Sequence, residues 1–360
     1  MQRSNSIKPI QLALVVFIAQ TGIGIITLPS SLAKDAGHDG WISLLISGIL
    51  ILLLSTMIYL LMNRYTDKSI YDITNFIFGK ILGTGINTLL ILYLLLAAVT
   101  GVSLFTYYIR ITLLQQTPAW VLAPVITLPS FYLVWQGLKN MSRFLYISFT
   151  GYFIVIIYLL ALHSEYRISF LLPAGEAGIS RILLSMKSAF FSFVGFELIA
   201  FFYPYIQERT KILKWYLLAS LGSLVFFLLV TTCITAIFGE HFLTVLSIPF
   251  FNLSRIYNAP VFERIDIYLI AVWFMPMACS MRNYLFAAFD GLQKVYKLEK
   301  TRVMFLFYFI VVEVLSLLPK DLNQVLKLIE IINLVCMGIA LYLLLCLPLS
   351  YIRKKGVTAK

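Results

Sequence analysis

The sequence predicts an all-α integral membrane protein of about ten transmembrane helices, organised as a single transmembrane domain over residues 1–360. Three observations lead there. Of the 360 residues, 61% are hydrophobic and only 12% charged. A soluble domain carries roughly 25% charged residues, so this much apolar surface needs lipid as part of its solvent. Apolar runs long enough to cross a hydrocarbon core, roughly 20 residues, follow one another along the chain. The cations between those runs are also distributed unequally on alternate sides, as the rule for cytoplasmic loops requires.

The runs are 10–33, 41–62, 83–109, 118–136, 144–163, 183–205, 215–238, 266–289, 302–319 and 326–349. The first follows a basic stretch and is expected to be kept as a helix, not removed as a signal peptide, because the chain stays apolar far beyond it. Trp41, Tyr107, Tyr108, Trp120, Trp135 and Trp215 stand near run ends, where amphipathic rings form interfacial belts. The longest gap, 239–265, contains Ile248-Pro249-Phe250-Phe251 and Ile256-Tyr257 and reads as a short interfacial helix. Alternating the loops places 18 Lys and Arg on the side of the termini, nine on the other, and Arg282 inside a run. The excess belongs in the cytoplasm, with both termini inside, as an even number of spans demands. The formal charge of +12 is therefore a topology signal and a contact for anionic lipid heads, not a nucleic-acid footprint.

Spacing along the chain suggests an inverted repeat. A shift of 173 residues carries Gly22 onto Gly195 and the run 41–62 onto the seventh run. The third, fourth and fifth runs fall near the eighth, ninth and tenth, with a drift absorbed by 239–265. Five helices per half invert the second half automatically. The expected architecture is 5+5, with repeat 1 over about 10–163 and repeat 2 over about 183–349.

The first helix of each half is poorly suited to remain helical. Run 1 reads Gln20-Thr21-Gly22-Ile23-Gly24 and reaches Pro29; run 6 reads Phe193-Val194-Gly195-Phe196-Glu197 and reaches Tyr203-Pro204. Glycine is a weak helix former, and proline removes a donor and clashes with the preceding turn. Both helices are expected to break near mid-membrane, exposing backbone groups and half-helix dipoles that can hold a zwitterion. Such a break is tolerated in lipid only where it lines a cavity. The plain alternative is that these glycines serve close helix packing.

Enzymatic and metal functions find no motif. Cys233, Cys279, Cys336 and Cys346 lie in apolar runs without a CxxC pair, and His38, His163 and His241 fall at run ends. No His-x-x-x-x-His, GxSxG or intramembrane Asp pair occurs. No enzyme, cofactor or metal is expected.

The Thr21-Gly22-Ile23-Gly24 to Pro29 stretch, together with Phe193-Val194-Gly195-Phe196-Glu197, resembles the amino acid–polyamine–organocation superfamily of permeases. Within it, the compact length and the stretch from Gln11 to Gly24 look like the B subunits of bacterial endospore germination receptors. The resemblance covers essentially the whole chain. It implies a LeuT-like fold with helices 1 and 6 broken. It also implies a place in the spore inner membrane beside a larger A subunit and a lipoprotein C subunit, and binding of a germinant, often an amino acid, that starts ion release. Superfamily substrates sit between spans 1 and 6, flanked by 3 and 8. Carried over by motif, that points to Gly22, Ile23, Gly24, Gly195, Phe196 and Glu197. The side walls would be Tyr93, Ala97 and Gly101, spaced by four on one helical face, with Ala278 and Ser280 on span 8.

Glu197 is the sharpest single residue, because a carboxylate at the bilayer centre costs roughly 2.5–3.5 kcal/mol on insertion scales. Partner to a substrate amino group, cation ligand, proton carrier, partner of Arg282 and brace for the break all remain open. For Arg282 the options are snorkelling to water, pairing with Glu197 or touching substrate. Glu313 and Glu330 are expected to be satisfied in the bundle or at the interface. Run 5 has no acid or base before His163, so no coupling ion is assigned. Two functions follow: a germinant-sensing subunit, or a secondary transporter of amino acids using the same site. A purely structural subunit is the third.

Overall fold

The computed structural model describes residues 6–256 and 265–352, so Arg3, Tyr257, Glu263, Arg264 and the cations of 353–360 lie outside the described residues. In chain order the helices are α1 (Pro9–Gly24), α2 (Leu28–Ala36), α3 (Gly40–Arg64), α4 (Ile70–Phe78), α5 (Lys80–Thr112), α6 (Ala119–Gln136), α7 (Leu138–Ala161), α8 (Gly178–Ser192), α9 (Leu198–Phe202), α10 (Ile212–Val245), α11 (Pro249–Leu253), α12 (Ile265–Tyr296), α13 (Arg302–Ser316) and α14 (Leu322–Ile352). Among the described residues the only extended pairing is a lone bridge between Ile7 and Ile206.

Small polar residues decide which helix face points inward. On α3, Ser43, Ser47 and Ser55 are buried while Ile46, Ile49, Leu53, Met57 and Leu60 are exposed. Lipid is as apolar as leucine, so apolar residues occupy both faces, Leu44, Ile51 and Ile58 being buried too, and the small polar groups mark the face turned to protein. The serine at 43 donates to the Ile182 carbonyl at 2.8 Å, and Ser55 meets Ser220 at 3.4 Å. Between them, a Cβ on Gly48 would stand 2.4 Å from Leu224 Cδ1, so glycine here gives the Leu224 side chain room against α3.

Seven helical stretches among the described residues are long and apolar enough to cross a membrane, with α2 and α3 joined as one, Leu28–Arg64. The remaining expected runs are helical but short or divided. Helix α1 has 16 residues, α8 and α9 are halves of one broken run, and α13 has 15. The expected interfacial segment contains α11 and a kink at Gly239 (φ 71°), where α10 turns. Helix α4 lies in a gap left unassigned by hydropathy; its signal is local, Ser69 capping the amide of Asp72 while Asp72 caps Ser69.

Helix α12 is the central post, packed on α5, α1 and α7, while α1 also packs on α10. One face gathers both ends of the chain. There Ile7 pairs with Tyr205 and Gln207, and Arg64 and Tyr65 donate to the Ser350 carbonyl. The opposite face carries the 3-10 turn Gly37–Asp39 between α2 and α3, outside both helices. It clamps the 173–177 loop to the chain beyond the Gly239 kink. Asp39 accepts from the amides of Gly175 and Ala177 at 2.8 and 2.9 Å. His38 Nδ1 meets Glu240 Oε2 at 2.8 Å and its Nε2 meets the Pro173 carbonyl at 2.8 Å. A carbonyl cannot donate, so both bonds to a carboxylate and a carbonyl form together only on an imidazolium.

Burial alone would lower the His38 pKa, but the bonds to Pro173 and Glu240 and the charge of Asp39 outweigh it and raise it. Burial alone would raise Glu240, but the His38 bonds outweigh it and lower it. The raised histidine contributes stability below its ordinary value near 6.5 and loses it as pH rises through the folded value. The lowered glutamate contributes above its ordinary value near 4.5 and loses it as pH falls. The clamp therefore contributes most between these two values, and for so partly exposed a pair by at most about 1 kcal/mol. Melting temperatures of purified wild type and His38→Gln should differ most near pH 5–6 and converge as pH rises through the raised folded value of His38; a pH-independent difference contradicts the clamp.

Candidate functional site

Both expected breaks are present, placed by local chemistry. Helix α1 runs through Gly22 and ends at Gly24; residues 25–27 form a turn, and α2 starts with Pro29 in its first turn, where no amide donor is needed. The break thus follows the glycines. Gly22 and Gly24 themselves serve close packing, the plain alternative: an added Cβ would stand 2.8 Å from the Pro276 carbonyl oxygen at Gly22 and 2.9 Å from that of Ser192 at Gly24. Helix α8 ends at Ser192 and α9 begins at Leu198. Between them Gly195 has φ +124°, and a Cβ there would meet Ala19 Cβ at 2.8 Å. Each broken helix thus presses a glycine against the other, Gly24 on Ser192 and Gly195 on Ala19.

The carboxylate of Glu197, fully buried, holds the second break. One oxygen accepts from the Gly195 amide at 2.8 Å; the other accepts from the hydroxyls of Tyr93 at 2.7 Å and Tyr284 at 2.9 Å. The thiol of Cys336 stands 4.0 Å from the first oxygen. Glu197 therefore ties the break to α5, α12 and α14, and of the open roles the geometry matches the brace. It has no contact with Arg282. Among the described residues Arg282 makes no ion pair: it is 2% exposed, donates to Cys279 Sγ at 2.9 Å and lies 5.0 Å from the Phe144 ring. It does not snorkel.

Side chains bond carbonyls at the breaks and along α1; of these, Phe196 and Gly22 lie where the helical ladder ends. Tyr216 donates to Phe196 at 2.6 Å. Along α1, Val15, Ala19 and Gly22 accept from Asn283, Ser280 and Trp273 of α12 at 3.2, 3.0 and 3.1 Å. Such pairing answers the cost of an unsatisfied backbone group in hydrocarbon.

What is left open is a narrow cavity of ≈ 60 Å³ between α1, α5, α8, α12 and α14. Of the expected site residues, Ile23, Gly24, Ala97, Gly101 and Ser280 line it. Gly22, Gly195 and Phe196 shape the breaks behind it, Tyr93 and Glu197 form the brace beside it, and Ala278 packs on the core. Sequence reasoning does not pick Gln20, Thr100, Tyr284 or the α14 wall at Ile329 and Ile332. The available signal for Gln20 is its place directly before Thr21-Gly22-Ile23-Gly24. A wider vestibule shares Phe191, Ser192 and Ile329 with the cavity, and its rim carries Lys34, Asp35, Lys187 and Glu330. It lies at the α2 end of the first break, on the face opposite the chain ends. Glu313 sits apart, accepting from Thr127 of α6.

Two broken helices packed glycine to backbone, with a cavity between them and a vestibule above, define a polytopic membrane protein with the LeuT-like transporter fold. Solved structures of that kind superpose on it. The substrate-bound outward-open state of a Na+-coupled sialic acid symporter gives a TM-score of 0.65 at 13% identity, over 91% of this chain and 76% of that one. MhsT in complex with L-phenylalanine gives 0.62 at 13%, over 87% and 79%. The chain belongs to the spore germination protein family, whose profile matches residues 6–325. It is 25% identical over 364 residues to spore germination protein YndE of Bacillus subtilis (strain 168), covering 98% of each chain. With spore germination protein GerQB of Bacillus cereus it shares 24% over 312 residues, covering 84% of this chain and 85% of that one.

Two substitutions test the brace. Gly195→Ala combines a strained φ with a backbone clash and should cost about 1–3 kcal/mol. Glu197→Gln must turn an amide donor toward either the Gly195 amide or the two tyrosine hydroxyls, again about 1–3 kcal/mol. Both should lower the melting temperature of the purified chain without ligand. Unchanged melting of Glu197→Gln contradicts the brace.

Proposed function

We propose that this chain is a germinant-sensing membrane subunit of a spore germination receptor. It binds a small molecule, an amino acid in the simplest case, in the midplane cavity, and occupancy triggers germination through ion release. The observation that carries this reading is a cavity between two broken helices, in a chain of the spore germination family, with buried polar groups of Gln20 and Thr100 in its lining that the fold leaves unpaired. The vestibule supports entry from the face opposite the termini. With the cation excess on the terminal side, both termini lie in the cytoplasm and the vestibule faces outward across the spore inner membrane. The partners that fit are a larger A subunit and a lipoprotein C subunit of the same receptor.

The fold supports a second reading, an amino acid secondary transporter, because its solved neighbours include a coupled symporter and an amino-acid-bound protein. Binding and flux separate the two. In sealed vesicles holding the purified chain, radiolabelled amino acids should bind saturably and stop at about one per protein. Accumulation far beyond that stoichiometry, driven by an ion gradient, contradicts sensing and selects transport.

A further inference from the structure

The polar groups around the two breaks divide into those the fold consumes and those it leaves open. Glu197, Tyr93, Ser280 and the Phe196 carbonyl all have partners. In contrast, both the oxygen and the nitrogen of the Gln20 amide, and the Thr100 hydroxyl, are buried with no hydrogen-bond partner. Gln20 is 0% exposed and Thr100 2%. They come from different helices, α1 and α5, and both line the same cavity. A buried amide with neither end paired forfeits the desolvation cost of a donor and of an acceptor. Two such residues, on two different helices, line one cavity.

The lining also states the charge of that molecule. No Lys, Arg, Asp or Glu lines the cavity; apart from the hydroxyls of Ser192, Ser280, Tyr284 and Thr100 and the Gln20 amide, its walls are apolar. Of those hydroxyls, Tyr284 is committed to Glu197 and Ser280 to the Ala19 carbonyl. An ion with net charge would be buried here without a counter-charge, which is the costly case. The charged side chains stand outside, on the vestibule rim.

We propose that Gln20 is the specificity-determining residue of the ligand site, its amide donating to and accepting from a net-neutral ligand that has a hydrogen-bond donor and acceptor side by side, with Thr100 as a further polar contact. Among amino acids this selects those with short uncharged side chains and rejects lysine, arginine, aspartate and glutamate. This rests on the reading of the cavity as the ligand site. It deepens that reading by naming which residue reads the ligand and by removing Glu197 from that role.

The test uses Gln20→Met, which keeps the length of the side chain and removes both polar atoms. If the amide is held open for a ligand, the variant without ligand should melt at or above the wild-type temperature, because an unsatisfied buried group has been replaced by an apolar one of similar shape. Binding of the neutral amino acids that stabilise the wild type should weaken about tenfold or more, the loss of two hydrogen bonds. Thermal shift of the full purified chain, wild type and variant, against all twenty amino acids reads both quantities. A clear drop in the ligand-free melting temperature of Gln20→Met shows a structural amide and overturns the assignment. Unaltered binding by the variant overturns it as well, while leaving the amino-acid site standing. Preference of the wild type for charged amino acids overturns the ligand class. A wild type that answers to none of the twenty overturns the amino-acid reading of the cavity, and the assignment with it.

Discussion

The structure depends on how a five-residue interruption at 193–197 survives in the middle of a membrane. Hydrocarbon offers nothing to an unpaired amide or carbonyl, so the chain must answer its own break. It does so with one carboxylate and one phenol. Glu197 takes the amide of Gly195 two residues back and two tyrosine hydroxyls from other helices, and Tyr216 takes the carbonyl of Phe196. The costliest residue in the bilayer thereby secures the least stable stretch. A break held this way needs no ligand in order to fold, because its backbone groups are answered by the chain's own side chains.

The glycines serve the same end by a different route. Gly24 abuts Ser192 and Gly195 abuts Ala19, so the two broken helices touch backbone to backbone on either side of the cavity. With α12 donating into three carbonyls on successive turns of α1, those of Val15, Ala19 and Gly22, the first half of helix 1 is fixed to the central post. The second half, α2, belongs to the vestibule and leads to the clamped turn at His38 and Asp39.

Much of this was legible in the sequence because it rests on length and composition. Apolar runs mark helices, and Gly and Pro mark where helices fail, so the all-helical membrane fold and both breaks are readable. Ala97 and Gly101 are readable as cavity walls because residues four apart share a helix face. The role of Glu197 is not, since its partners lie about ninety to a hundred and forty residues away, on Tyr93, Tyr284 and Cys336. For Arg282 the sequence leaves snorkelling, pairing with Glu197 and substrate contact open, and in the fold it is buried against Phe144. Gln20 carries no charge and sits in an apolar run; only the accounting of which buried groups lack partners brings it out. Helix α4 was hidden for the opposite reason, its signal being a local cap and an amphipathic stripe, not an apolar run.

Hydrogen–deuterium exchange across residues 190–200, read on the ligand-free purified chain, tests most directly whether the break is held by the protein itself. The account predicts slow exchange at 193–198, comparable to α8 and α9 on either side, because the Gly195 amide is bonded to Glu197 before any ligand arrives. Fast exchange through 193–198 that slows only when a ligand is added would show a break completed by its ligand, and would contradict the account.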